Sequence, residues 1–316
     1  MRKLALSDEI LMSVEKPARY IGGEVNAVMK EKEGVDIRFA MCFPDVYEIG
    51  MSHLGIQILY DMLNQREDTW CERVYSPWVD LDRIMRERKI PLFALESQDP
   101  LGDFDFLGIT LQYEMCYTNV LQVLDLSGIP IYARDRDEGD PLVIGGGPCA
   151  ANPEPLADFF DLFYMGEGET SYFALLDAWK ANKAQGGSRF DFLIKAAGIP
   201  GIYVPCLYDV AYKEDGTLES FGPNHPAAPA RVEKQMVFDL SHTFYPEKPL
   251  LPFIKATQDR VVLEIQRGCI RGCRFCQAGM LYRPTRQRDV EMLKERACQM
   301  IAATGHEEIS LSSLSS

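Results

Sequence analysis

Apolar positions along this chain alternate between two periodicities. Residues 35–44 (VDIRFAMCFP) form a mostly apolar, β-rich run ending at a loop, and residues 52–63 repeat their apolar positions at helical spacing. The pair predicts a strand feeding a helix. The same alternation continues with a short strand at 73–76, a helix at 80–88, an apolar run at 91–95, a buried strand at 104–111 (FDFLGITL) and a helix at 116–126. A strand at 141–144 opens into Gly145-Gly146-Gly147, another strand spans 161–165, and a helix at 170–184 closes the set. Far downstream, a short apolar strand at 261–265 precedes a helical pattern at 289–304, and a further strand is expected at 308–314. Val290, Leu293, Ala297, Met300 and Ile301 form the apolar stripe of that helix, which Gly305 ends.

Strands alternating with helices at this spacing predict an α/β protein with a mostly parallel sheet covered on both faces. We expect a flavodoxin-like, doubly wound Rossmann domain over residues 35–189, preceded by an extension at 1–34. Residues 190–255 are dense in proline and glycine (Pro200, Gly201, Pro205, Gly222, Pro223, Pro226, Pro229, Pro246, Pro249, Pro252) and predict a linker whose ordered pieces are GIYVP at Gly201 and RVEKQMVFDL at Arg231. Residues 256–316 then supply the first strand and helix of a partial (β/α) barrel. Ligands of doubly wound sheets sit at the carboxyl ends of the strands, where the loops 44–52, 112–116, 145–148 and 166–169 fall. Gly145, Gly146, Gly147 and Gly166 would let backbone approach a flat or phosphate-bearing ligand there; tight turning is the alternative, since three consecutive glycines are not the G-x-G-x-x-G fingerprint.

The 316 residues have room for about two domains, and 47% hydrophobic content is ordinary for a globular chain. Asp8 and Glu9 interrupt the only N-terminal stretch resembling an export signal, and no run approaches a membrane span. Nine cysteines without such a signal fit a reducing cytoplasm. A net charge of -14 opposes non-specific nucleic-acid binding by the whole surface. The charge is uneven, however. Arg260, Arg267, Arg271, Arg274, Arg283, Arg286 and Arg288 face one acid, Glu264, in the same stretch. They read as a solvated basic face, or as cations that offset a thiolate-ligated cluster or grip an anionic group; an RNA substrate has no other feature behind it.

At the centre of that stretch, VVLEIQRGCIRGCRFCQAGMLYRP places Cys269, Cys273 and Cys276 on a loop where Gly268 and Gly272 free the backbone to turn three thiols around one object. Thiolates are the protein ligands of iron–sulfur clusters, and four would saturate a cubane. Three leave one iron open to bind and reduce a substrate. Zinc is the competing reading, with Cys298 or His306 as a fourth ligand, but no second C-x-x-C pair exists and Cys298 falls within the helical pattern. His225 and His242 lack metal-ligand neighbours and default to loop histidines.

The spacing of three residues and then two, with aromatic Phe275 before the last cysteine, resembles the signature of the radical S-adenosylmethionine (SAM) superfamily. The segment GGGPCAANPEPLADFFDLFYMGEGE (145–169) resembles the last two strands of the cobalamin-binding-like domain that precedes many radical SAM barrels. With KPARYIGGE, FPDVYEIGMSHLG and LQYEMCYTNVL, the resemblance extends over nearly the whole chain, to a family of large radical SAM proteins. It implies a [4Fe-4S] cluster on Cys269, Cys273 and Cys276, SAM on the open iron beside Phe275, and reductive cleavage of SAM to a 5'-deoxyadenosyl radical. An electron donor such as flavodoxin or ferredoxin is implied too. Cobalamin is left open, because the histidine motif D-x-H-x-x-G is replaced by GMSHLG around His53, which is expected to face solvent at a helix start or to cap a turn. Glu167 and Glu169 are candidates for orienting a ligand between the domains, although two acids after a strand are more often solvated loop residues. A closed barrel takes about 200 residues or more, so the chain is expected to be the N-terminal part of a longer protein. Ser310, Leu311 and Ser312 would lie on an interior strand, and residues 312–316 stand where the superfamily's glycine-rich SAM contact is expected. The reading from a different class is a corrinoid- or cluster-binding module without turnover, or a fragment lacking the complete barrel.

Overall fold

A computed structural model describes residues 4–315. Short helix α1 (Asp8–Ser13), with Ser7 at its N-cap, is followed by irregular chain that runs along the edge of the first sheet. The sheet begins with β1 (Ile37–Phe43), and helices α2 (Tyr47–Gly50) and α3 (Leu54–Asn64) lead to β2 (Thr69–Tyr75). Then come α4 (Val79–Arg88), β3 (Phe106–Thr110), α5 (Tyr117–Ser127), β4 (Leu142–Gly146), β5 (Leu162–Tyr164), α6 (Tyr172–Ala184), α7 (Arg189–Ala197) and β6 (Ile202–Tyr203). The strand order is β2-β1-β3-β4-β5-β6. The first five strands are parallel and β6 is antiparallel to β5. Order 2-1-3-4-5 is that of a flavodoxin-like sheet, as the alternation predicts.

Strands covered on both faces should carry apolar residues at every position. β4 does so, and β1 and β3 depart from it only at Arg38 and Thr110: Phe39, Phe106, Leu107, Val143 and Ile144 are fully buried. On one face Phe106 meets Trp179 of α6 and Phe192 of α7 edge-on. Two sets of charged residues in this interior are paired among themselves. Arg73 on β2 is 0% exposed and donates to Glu24 at 2.6 Å and Glu96 at 2.6 Å, while the Tyr47 hydroxyl donates to Glu24. Asp161, just before β5, accepts from Arg136 at 2.8 Å and Arg189 at 2.7 Å.

The stretch expected to be a linker is more ordered than its prolines suggest. Ser188 and Asp191 form a capping box that starts α7, and β6 joins the main sheet, so the sheet continues past residue 189. A hairpin of β7 (Tyr208–Tyr212) and β8 (Leu218–Pro223) follows around Gly216, which adopts φ +79°. Residues 231–240 form no strand; Gln235 makes an isolated parallel bridge to Gly166.

Beyond it, β9 (Val261–Glu264) runs into β10 (Gln266–Arg267), helix α8 (Ala278–Leu281), β11 (Arg286–Gln287), helix α9 (Val290–Thr304) and β12 (Ile309–Ser312). β12 lies parallel to β9, with Val261 opposite Ile309, so β9-α9-β12 is a βαβ unit. Asp289 caps α9, accepting from the N–H groups of Glu291 and Met292, and Gly305 ends it in the left-handed region. Met300, Leu293 and Ala297 pack on Val261, Leu263 and Tyr245 in a small second core that also takes Ile58 of α3. The expected stripe is narrower in fact: Val290 is 61% exposed at the first turn, and Ile301, one residue round the helix from Met300, is 36% exposed. Among the described residues no helix is long and apolar enough to cross a membrane.

Candidate metal centre

The cysteine loop leaves the carboxyl end of β9 and returns to it. At its neck β10 and β11 pair antiparallel, Arg267 opposite Arg286. Gly268 has φ +86°, and a Cβ there would sit 2.7 Å from the carbonyl oxygens of Tyr282 and Pro284, so only glycine lets the outgoing and returning arms touch. Gly272 is also left-handed, at φ +66°. Between these points lie Cys269 and Cys276, half-buried, and Cys273, exposed, all with free thiols. The Cys276 N–H donates to the Cys273 carbonyl at 3.1 Å. Phe275 is 93% exposed. The sulfurs share one loop without converging: among the described residues no three His, Cys, Asp or Glu side chains are gathered to hold a metal ion. Chemically the donor set fits a cluster, being three unpaired, solvent-reachable thiols on glycine-hinged backbone. Cys298 and His306, the candidates for a fourth zinc ligand, are not gathered with them.

Carboxylates from the first sheet hold the neck. The chain leaving β5 turns at Gly166, and the Tyr164 hydroxyl donates to the Glu167 carbonyl at 3.0 Å, fixing the turn. Glu167 then reaches both arms of the loop, pairing with Arg267 at 3.0 Å and Arg286 at 2.7 Å. Arg267 uses all three nitrogens, Nη1 on Glu167, Nη2 on Glu169 at 2.6 Å and Nε on Glu264 at 3.0 Å. Arg288 closes the set on Glu264 at 2.7 Å, its guanidinium 4.5 Å over the Tyr245 ring. Burial alone would push the Glu264 carboxyl up, but Arg267 and Arg288 outweigh it and hold it below the usual carboxylate range. Burial likewise opposes the charge on Arg267, and the carboxylates of Glu169 and Glu264 overcome it.

Glu167 and Glu169, candidates for orienting a ligand or for solvated loop acids, meet arginines of the chain itself. Of the seven arginines, Arg267, Arg286 and Arg288 are engaged by acids, Arg260 lies 3.7 Å from Glu308, and Arg271, Arg274 and Arg283 stand exposed beside the cysteines. Sequence reasoning missed segment 234–237, which wedges between β5 and the neck: Lys234 donates to the carbonyls of Leu281 and Arg283, and the Val237 N–H donates to Glu167. The acidic pair in MGEGE, set against the arginine-rich stretch 260–288, was the available signal.

At the carboxyl end of the first sheet, the glycines are spaced by the protein's own atoms. A Cβ on Gly145 would lie 2.5 Å from the Phe163 ring, one on Gly147 2.9 Å from the Leu111 carbonyl oxygen, and one on Gly166 2.1 Å from that of Gln235. Gly146 alone of the four has no such neighbour, the nearest being the Tyr164 oxygen at 4.0 Å. His53 is the N-cap of α3: its Nδ1 accepts from the Ile56 N–H at 3.2 Å, and its ring lies 5.2 Å from that of Phe43. Burial pushes its pKa down to about 4, with Gln112 partly countering, so the imidazole is neutral at pH 7. His225 accepts from the Ala227 N–H, and His242 pairs with Asp239 at the surface.

Residues 55–205 match the family model described as radical SAM proteins, N-terminal. The match spans just under half of the chain, which is similar there to the N-terminal part of radical SAM proteins. Over 261 residues, 80% of its length, the chain is 25% identical to the uncharacterized protein MJ0966 of Methanocaldococcus jannaschii, of which it covers 44%. Among solved structures it is similar to the radical SAM methyltransferase TsrM from Kitasatospora setae. The form with tryptophan and a SAM analogue gives a TM-score of 0.49 at 14% identity, over 89% of this chain and 48% of that one. The form with cobalamin and a [4Fe-4S] cluster gives 0.47 at 14% identity, over 88% and 49%. The chain thus spans about half the length of each.

Proposed function

We propose that Cys269, Cys273 and Cys276 hold a [4Fe-4S] cluster and that the chain serves a radical SAM enzyme of unassigned substrate. The observation that carries this reading is the placement of three free thiols on one loop at the carboxyl end of β9 in a parallel βαβ unit, the end where barrel enzymes keep their catalytic loops. When bound, such a cluster supplies an electron to the sulfonium of SAM, giving methionine and a 5'-deoxyadenosyl radical. The chain's own residues do the rest. Gly268 and Gly272 shape the loop, Phe275 stands next to the last thiolate to line the cofactor, and the neck arginines stay neutralised by Glu167, Glu169 and Glu264. Arg271, Arg274 and Arg283 are then the cations left to balance thiolates. Residues 256–316 open the cluster-binding domain on this reading, and the first sheet is its scaffold. A corrinoid at the carboxyl end of that sheet, beside Gly145, Gly146, Gly147 and Gly166, would have no histidine on its cobalt, because His53 is committed to capping α3.

The test is anaerobic reconstitution of the protein with iron and sulfide, followed by reduction with dithionite in the presence of SAM. Four irons and four sulfides per chain and 5'-deoxyadenosine in the chromatogram are expected, and Cys273→Ala should lose both. Zinc without sulfide would overturn the cluster. A full cluster with no 5'-deoxyadenosine would leave a binding module.

A further inference from the structure

We propose that Glu167 is a positioning residue for the cysteine loop: one carboxylate of the first sheet pins both arms of the loop's neck and so sets how the three thiols are presented. The inference rests on the cluster reading and adds a residue outside the cysteine motif to it.

The geometry is specific to Glu167. Its two oxygens take Arg267 on the outgoing arm and Arg286 on the returning arm, and Oε2 also accepts the Val237 N–H at 2.8 Å. Arg267 is one residue from Gly268 and two from Cys269, so a shift of its guanidinium is passed to the first thiol through a single glycine. Glu167 is itself fixed from behind. Its N–H donates to the Gln235 carbonyl at 3.0 Å, its carbonyl accepts from Tyr164, and Gly166 has no room for a side chain against Gln235. Glu169 adds one contact to one arm only. Removing either acid leaves Arg267 two carboxylates, but removing Glu167 also strips the nearly buried Arg286 of the one acid it meets among the described residues, which removing Glu169 does not.

Hydrogen exchange over residues 264–288 and iron and sulfide content after identical reconstitution would be measured for the wild type, Glu167→Gln, Glu169→Gln and Asp161→Asn, with the electron paramagnetic resonance of the reduced cluster. Asp161 is the control, an even more deeply buried acid paired with two arginines at the amino end of β5, away from the neck. We expect neck exchange in Glu167→Gln to rise about tenfold or more, with less iron per chain and a broadened resonance. Glu169→Gln should give a weaker version, and Asp161→Asn neither change. Wild-type exchange and iron in Glu167→Gln would overturn the proposal, as would an equal loss in Asp161→Asn. If the wild type takes up no iron, the cluster reading fails, and the exchange data still decide whether Glu167 pins the neck.

Discussion

Arg73 and Arg267 are both held by carboxylates, in opposite settings. Arg73 lies inside the first sheet with Glu24 and Glu96, all three side chains 0% exposed. Arg267 is 10% exposed, its partners Glu167 and Glu169 come from a distant strand end, and it borders an open loop. The first set closes an interior around a charge; the second joins two units that the chain builds separately. A buried ion pair contributes little net stability when intact and costs much when one partner goes, because the remaining charge is stranded. The same chemistry therefore guards the fold at one site and orients a loop at the other.

The largest effect that would test this contrast is Arg73→Ala, which strands Glu24 and Glu96 and should cost about 3–5 kcal/mol in urea denaturation. Arg267→Ala, where water can reach the carboxylates, should cost less, about 1–3 kcal/mol. Equal losses would erase the distinction. A pH series separates the regions differently. His53 has a folded pKa of about 4 against an ordinary 6.5, so between these values the unfolded chain binds more protons and stability falls as pH is lowered through that window. The neck should hold through the same window, because the Glu264 pKa is depressed and its contribution is lost only below the ordinary carboxylate range. Melting temperature against pH for the wild type and His53→Gln would register this; an unchanged acid limb in the variant would remove His53 as its source. The smallest expected effect is from Asp289→Ala, which uncaps α9 and should cost about 1 kcal/mol; a loss of loop order as well would mean that the neck depends on the βαβ unit.

The doubly wound sheet was legible because its strands carry continuous apolar runs and its helices a clear 3.6 period, and the cysteine loop because its chemistry is local in sequence. What escaped had other causes. Helix α7 was hidden by the prolines that follow it, Pro200 and Pro205, although Ser188 and Asp191 spell a capping box. The β7-β8 hairpin is exposed on most of its length, so burial imposes no strict alternation there, and only Asp215-Gly216 marks the turn. The narrower stripe on α9 reflects the single small core against which it packs. Least legible was the neck, since Glu167 and Arg286 are 119 residues apart and nothing in the local pattern says which acid meets which base.

That neck has a consequence in chain statistics. The freedom lost on closing a loop grows with its length and must be surrendered whenever the ends are brought together. Here Gly268 already rests on Tyr282 and Pro284 with Glu167 bridging the arms. Incoming iron would meet a loop whose ends are joined, so part of its affinity would come from a carboxylate that never touches the metal.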